Sequence, residues 1–247
     1  IALSAPFTYF GDKGVMIFNT LVMLLSAFFT FKLGRKLGFK FAFPLVIFVL
    51  FAPVYFKFSQ SCLTEPLFGL VAISSAYYFI CEKYKVSAIL ISFIIYSRSE
   101  GMLFIPIYAF ALILRKQYKI IPFLFTGFLF YSLVGFLIGK GFLWYYYDYP
   151  YKAVVEAYGK GPFWHWFTNQ EFITGTPFSI YLTVSFFLLV FISLFNFRSI
   201  FNNYNTILLS LITVPVIIYI FGHSYLWYKG LSASIGLFRI VGGVIPL

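Results

Sequence analysis

Six continuously apolar, uncharged runs of 16 to 19 residues recur along this chain: Val15–Phe31, Phe41–Phe56, Pro66–Cys81, Ile120–Ile138, Phe178–Phe195 and Thr206–Gly222. Runs of that length have few places to go except the hydrocarbon of a bilayer. There every backbone N–H and C=O must find a partner within the protein, which leaves helices or a closed barrel. The runs do not alternate apolar with polar residues, so they do not read as barrel strands. Only 10% of the residues are charged, against roughly 25% in soluble domains. The expected fold is an all-α, polytopic helical membrane protein, with residues 1–247 forming a single transmembrane domain.

Two shorter runs, Val86–Tyr96 and Met102–Leu114, have 11 and 13 residues and flank Ser97-Arg98-Ser99-Glu100-Gly101. A cation and a carboxylate between such segments are expensive unless they face protein, a partner or a water-filled cavity. The alternative is a tight turn whose charges lie in water. Counted separately, the short runs bring the total to eight membrane segments, one pair of them short and broken.

The net charge of +11 would suggest nucleic acid if it were spread evenly. Instead it sorts by loop, and no nucleic-acid partner is expected. Lys32–Lys40, Glu82–Lys85, Arg115–Lys119 and Asn196–Asn205 hold ten of the 18 lysines and arginines but one of the seven acids. Short basic loops stay cytoplasmic, which places Glu65, the Arg98 turn, the loop Gly139–Pro177 and His223 on the extracytoplasmic face. Counting the short pair as one helix would send Arg115–Lys119 outside. All four tryptophans, Trp144, Trp164, Trp166 and Trp227, then share the outer side. The loop 139–177 is aromatic-rich, and its rings suit either an interfacial belt or a sugar or lipid head group. The expected location is a membrane crossed several times, with the Arg98 turn and the aromatic loop on its extracytoplasmic face.

Cys62 and Cys81 stand at opposite ends of one expected helix, too far apart to pair. The chain opens on Ile1 and stops at Leu247 within an apolar run, so it is expected to be a fragment truncated at both ends. No HExxH, cysteine pair, GxSxG, P-loop or dinucleotide fingerprint occurs, and no metal or cofactor site is expected. The outer face gathers Glu65, Arg98, Glu100, Asp148, Glu156, His165, Glu171, His223 and Arg239. Arginines at that depth can make forked bonds to phosphate. Glu65 could cap the helix that begins at Pro66, orient an arginine, or bind sugar hydroxyls. His223 marks the outer end of the run Thr206–Gly222, and Arg239 lies in the apolar stretch Ile235–Leu247.

The stretches Phe58–Phe68 (with Thr64-Glu65-Pro66-Leu67-Phe68), Tyr96–Leu103 (with Arg98-Ser99-Glu100-Gly101) and His223–Tyr228 through Gly236–Arg239 resemble the GT-C integral-membrane glycosyltransferases. They are most similar to bacterial mannosyltransferase-like members. The resemblance covers most of the chain in order, through short motifs. It implies a mannose-like sugar moved from a polyprenyl-phosphate donor to a glycan, lipid or protein acceptor outside the cytoplasm. It also implies an acidic catalytic base in the first outer loop, after a first helix. Here that residue is expected upstream of Ile1, because Asp12 stands at the far end of such a loop. Glu65, Arg98 and Glu100 match as substrate-binding positions, with His223 and Arg239 beside them. A polysaccharide polymerase would share the outer loop and arginines, and a lipid or sugar flippase would also hold charge at membrane depth.

Overall fold

A computed structural model describes residues 4–61, 63–147, 159–181, 183–184, 209–230 and 237–247. Among these the regular structure is helical, with no strand. The long elements are α1 (Gly11–Lys36), α2 (Phe43–Phe51), α3 (Pro53–Ser59), α4 (Glu65–Ile80), α5 (Tyr84–Ser92), α6 (Phe104–Leu114) and α7 (Thr126–Leu137). Three short helices follow, α8 (Trp144–Tyr147), α9 (His165–Thr168) and α10 (Gln170–Thr174), then α11 (Val214–Lys229) and α12 (Arg239–Gly242).

Three helical runs among the described residues are long and apolar enough to cross a membrane: Ala5–Lys36, Tyr118–Leu137 and Leu211–Lys229. That is fewer than the eight expected segments. Glu65–Ile80, Tyr84–Tyr96 and Ser99–Leu114 are shorter apolar helices. The expected helix Phe41–Phe56 is broken because Pro53 disfavours a helical residue before it. Ala52 accordingly sits at ψ 117°, ending α2 and starting α3. The expected helix Phe178–Phe195 and the basic loop Asn196–Asn205 lie largely outside the described residues, although 178–181 and 183–184 are helical.

α4 is the central helix. Gly69, Ala72, Ser74, Ser75 and Ala76 are buried along it, and small side chains let neighbouring helices approach closely. A Cβ on Gly69 would stand 3.0 Å from the Gly243 carbonyl oxygen. Phe68 and Phe79 on α4, Phe104 and Tyr108 on α6 and Tyr219 on α11 are fully buried. Their rings meet edge-on or tilted, 5.5 Å for Phe68–Phe104 and 5.6 Å for Phe68–Tyr219.

α1 runs parallel to α4. Asn19 Nδ2 donates to the carbonyls of Ser61 and Leu63, just before α4, while Phe29 meets Tyr77 and Tyr78 near its end. α5 turns back, with Ser87 Oγ donating to the Ser75 carbonyl at 2.8 Å. The result has two unlike ends. The start of α4 meets the Arg98 turn, whereas the far ends of α1, α4 and α6 carry Lys32–Lys40, Lys83–Lys85 and Arg115–Lys119. Outward faces of α1 and α7 expose Leu21, Leu24, Phe28, Leu129, Leu133 and Phe136, surface that suits lipid rather than water.

Candidate functional site

The Arg98 turn owes its shape to Gly101. The chain leaves a 3-10 turn at Ile94–Tyr96, extends at Arg98 (φ −153°, ψ 141°) and re-enters a 3-10 turn at Ser99–Leu103. A Cβ on Gly101 would stand 2.8 Å from the Ile94 carbonyl carbon. Only glycine lets the two backbones come that close. The Gly101 amide donates to the Arg98 carbonyl and closes the turn.

Arg98 turns inward and divides its fork between two carboxylates. Nη1 donates to Glu65 Oε1 at 2.6 Å and Nη2 to Glu100 Oε1 at 2.7 Å. Ser99 Oγ donates to the other Glu100 oxygen at 3.2 Å. Thr64 is the N-cap residue of α4 and makes no side-chain cap bond, and the buried Glu65 side chain reaches across to Arg98 instead of capping. The solvated-turn alternative does not describe this cluster, since Arg98 is only 16% exposed and Glu65 2%.

Burial works against the Arg98 charge, but Tyr219, Glu100 and Glu65 around it outweigh burial and hold its pKa above the ordinary value. Burial likewise raises the Glu100 carboxyl, and the charge and hydrogen bond of Arg98 overcome this to leave it below its usual value.

α11 forms the opposite wall. It continues past Gly222 to Lys229, so His223 lies inside a helix, not at its outer end as expected. Continuing the helix puts Tyr219, His223 and Trp227 on one face at four-residue spacing. His223 Nε2 stands 3.8 Å from Glu100 Oε1, too long for a hydrogen bond, and its ring lies 4.7 Å from that of Tyr219. Trp166 from α9 covers His223 at 6.4 Å. Sequence reasoning missed Tyr219 and Ser224, and the i, i+4 spacing would have found Tyr219 had the helix not been ended at Gly222.

The aromatic segment 139–177 is not a plain loop in its described part. It carries α8, α9 and α10. Trp144 folds back on α7, donating to the Tyr131 carbonyl at 2.8 Å and filling the space beside Gly135. Trp166 is buried, while Trp164 is 56% exposed. Asp148, Glu156 and Cys62 lie outside the described residues, and Cys81 is a free thiol. Arg239 opens α12, which packs on α3 and α4 with Gly243 against Phe68. The Arg239 side chain lies outside what is described.

Several buried polar atoms here have no hydrogen-bond partner among the described residues: Arg98 Nε, His223 Nδ1, Ser224 Oγ, Trp166 Nε1 and Trp227 Nε1. Such atoms are rare in folded proteins and call for an explanation. No three His, Cys, Asp or Glu residues converge for a metal among the described residues.

Beside the turn an apolar hollow of about 650 Å3 is lined by Tyr96, Ser99, Met102, Phe128, Tyr131 and Tyr145, among others. A second hollow of about 350 Å3 shares Ile95, Met102 and Phe128 with it and continues along Pro106 and Phe125. Together they make a groove that starts at Tyr96 and Ser99, the residues on either side of the Ser97–Arg98 pair, and runs between α6 and the segment leading into α7.

Comparison with known proteins adds no family: no family model, curated protein or solved structure matches this chain. The helical fold, the three candidate spans and the buried charge cluster define it as compatible with a membrane protein.

Proposed function

We propose that the chain is a membrane glycosyltransferase of the GT-C kind, moving a mannose-like sugar from a polyprenyl phosphate to an acceptor on the extracytoplasmic face. The observation that supports this most is the juxtaposition of the Glu65–Arg98–Glu100 cluster with an apolar groove beginning at Tyr96 and Ser99. A lipid-linked sugar has the same two-part chemistry, a polar head and a long apolar tail. In this reading the broken and short helices complete eight membrane segments, and the bilayer is bacterial.

The roles are inferred from residue chemistry, and for Arg239, whose side chain lies outside what is described, from the resemblance alone. Arg98 is occupied by two carboxylates, so its first task is to orient Glu65 and Glu100. Those carboxylates accept hydrogen bonds from sugar hydroxyls, with the buried His223 beside Glu100. The leaving phosphate gains negative charge and needs a cation. Arg239 is assigned that task, with Arg98 Nε as a second donor. The base that takes the acceptor's proton is not assigned to Asp12, which is exposed in the first turn of α1 and takes no part in the cluster.

The test is binding of a short-chain polyprenyl-phosphate mannose to the purified chain, together with an assay of sugar transfer from it. Binding that Glu65→Gln and Glu100→Gln weaken, together with transfer to a soluble acceptor, supports the reading. Failure to bind any lipid-phosphate sugar removes it. Transport of the lipid without sugar transfer would favour a flippase, and processive chain growth a polymerase.

A further inference from the structure

The end of the bundle opposite Arg98 carries chemistry that the transferase reading does not use. The 16 residues of α4 separate the two ends by about 24 Å at 1.5 Å per residue. At the far end, Lys32, Arg35 and Lys36 finish α1, and Lys40 follows. Lys83 and Lys85 flank the α4–α5 turn, and Arg115, Lys116 and Lys119 follow α6. Lys32, Arg35, Lys36, Lys40, Lys83, Lys85, Lys116 and Lys119 are all exposed, and the acid within these three stretches is Glu82.

The groups are contiguous. Lys83 Nζ lies 5.9 Å from the Tyr78 ring, which meets Phe29 of α1 at 5.8 Å. On the other side Lys85 Nζ sits 4.7 Å from the Phe123 ring, in the segment that packs on α5 and α6. Arg115 is the least solvated member. Its Nε is buried with no hydrogen-bond partner among the described residues, and Tyr84 stands within electrostatic reach. A partly buried guanidinium holds its charge in a less screened setting than the surrounding lysines.

Charge alone would suit any polyanion, but the surroundings narrow the choice. Phe28, Phe39, Ile113, Leu114 and Tyr118 are exposed immediately beside these cations. A soluble anion has no use for apolar rings and aliphatic chains around its site, whereas a phospholipid brings acyl chains beneath a phosphate. We propose that this end is a binding surface for anionic phospholipid headgroups, with Arg115 and the Lys83–Lys85 turn as its tightest part. The inference rests on the chain lying in a bilayer and is independent of the transferase reading.

The test uses the purified 247-residue chain in neutral detergent, with phosphatidylglycerol and phosphatidylcholine of identical acyl chains added in equal amounts. Lipid retained after dilution is counted by native mass spectrometry. Several cations near one headgroup should favour phosphatidylglycerol at least about tenfold, and 0.5 M salt, as roughly a 4 Å screening length, should remove most of that preference. The quadruple variant Lys83→Gln, Lys85→Gln, Arg115→Gln, Lys119→Gln should lose it. A control with Lys13→Gln, Lys57→Gln, Lys160→Gln and Lys229→Gln should keep it. Equal retention of the two lipids by the unaltered chain overturns the proposal without need of any variant. Loss of preference in both quadruple variants does so too, by making the effect one of net charge. Binding of a short oligonucleotide or inorganic phosphate with no lipid preference would reassign the surface to a soluble anion.

Discussion

Arg98 Nη1 lies 2.6 Å from Glu65 Oε1, joining residues 33 positions apart at the first residue of α4 and the turn before α6. The bond ties the start of α4 to the Arg98 turn as well as organising the cluster.

That double role predicts a strong coupling between the two residues. Removing one partner of a buried pair costs about 3–5 kcal/mol, whereas a surface pair is worth about 0–1 kcal/mol. Arg98→Met should lower the melting temperature in detergent sharply, and Glu65→Gln less so. The double variant should lose less than the two single losses combined. Additive losses would mean that the pair does not act as a unit.

The glycines predict opposite responses to one methyl group. A Cβ at Gly127 would clash with the backbone carbonyl of Ser92, at the C-terminal end of α5. Gly127→Ala should destabilise by about 1–3 kcal/mol. Gly222 lies within α11 with nothing within 4 Å of its Cβ position. Gly222→Ala should be neutral or stabilise by up to about 1 kcal/mol, through helix propensity. Thermal melts of the two variants against the unaltered chain decide the matter, and a stable Gly127→Ala protein would contradict the close α5–α7 packing.

Acid should undo the cluster in a stated direction. The Glu100 carboxyl is depressed by Arg98. Its contribution is therefore complete above the unfolded carboxylate value, about 4.3, and is lost as pH falls through its lower folded value. Melting temperatures measured from neutral pH to about pH 3 should fall less steeply for Glu100→Gln than for the unaltered chain. Parallel acid limbs would show that Glu100 is not the responding group.

The two ends of the bundle should prove to lie on opposite sides of the membrane. Cysteines introduced at Lys36 and Lys119 in a Cys81→Ser, Cys62→Ser background should be labelled from one face only, and one at Gly161 only from the other. Labelling of all three from the same face would remove the orientation on which an extracytoplasmic site depends.

The helices and the charged turn were legible because apolar runs and isolated charges are local signals. Pro53 was legible too but was read through, since the apolar run on both sides of it is unbroken. α11 was ended early at His223 for the opposite reason. His223 and Ser224 are polar and look like a helix end, yet both are buried against the site and the helix persists. Glu65 illustrates what periodicity cannot see. Beside Pro66 it has the position of a cap, and only the partner 33 residues later explains its inward turn. The groove was illegible because Tyr96, Tyr131 and Tyr145 come from three separate segments.

The same spacing bears on how the protein is made. If the chain enters a bilayer from its N-terminal end, Glu65 arrives before Arg98, and an unpaired carboxylate resists entry into hydrocarbon. α4 should therefore pause at the mouth of the insertion machinery until the Arg98 turn arrives, and the two should enter as one unit. Nascent chains halted shortly before Arg98 should remain extractable by alkali, and chains halted after Leu114 should not. The salt bridge in the finished molecule is then also a timing signal written into its assembly.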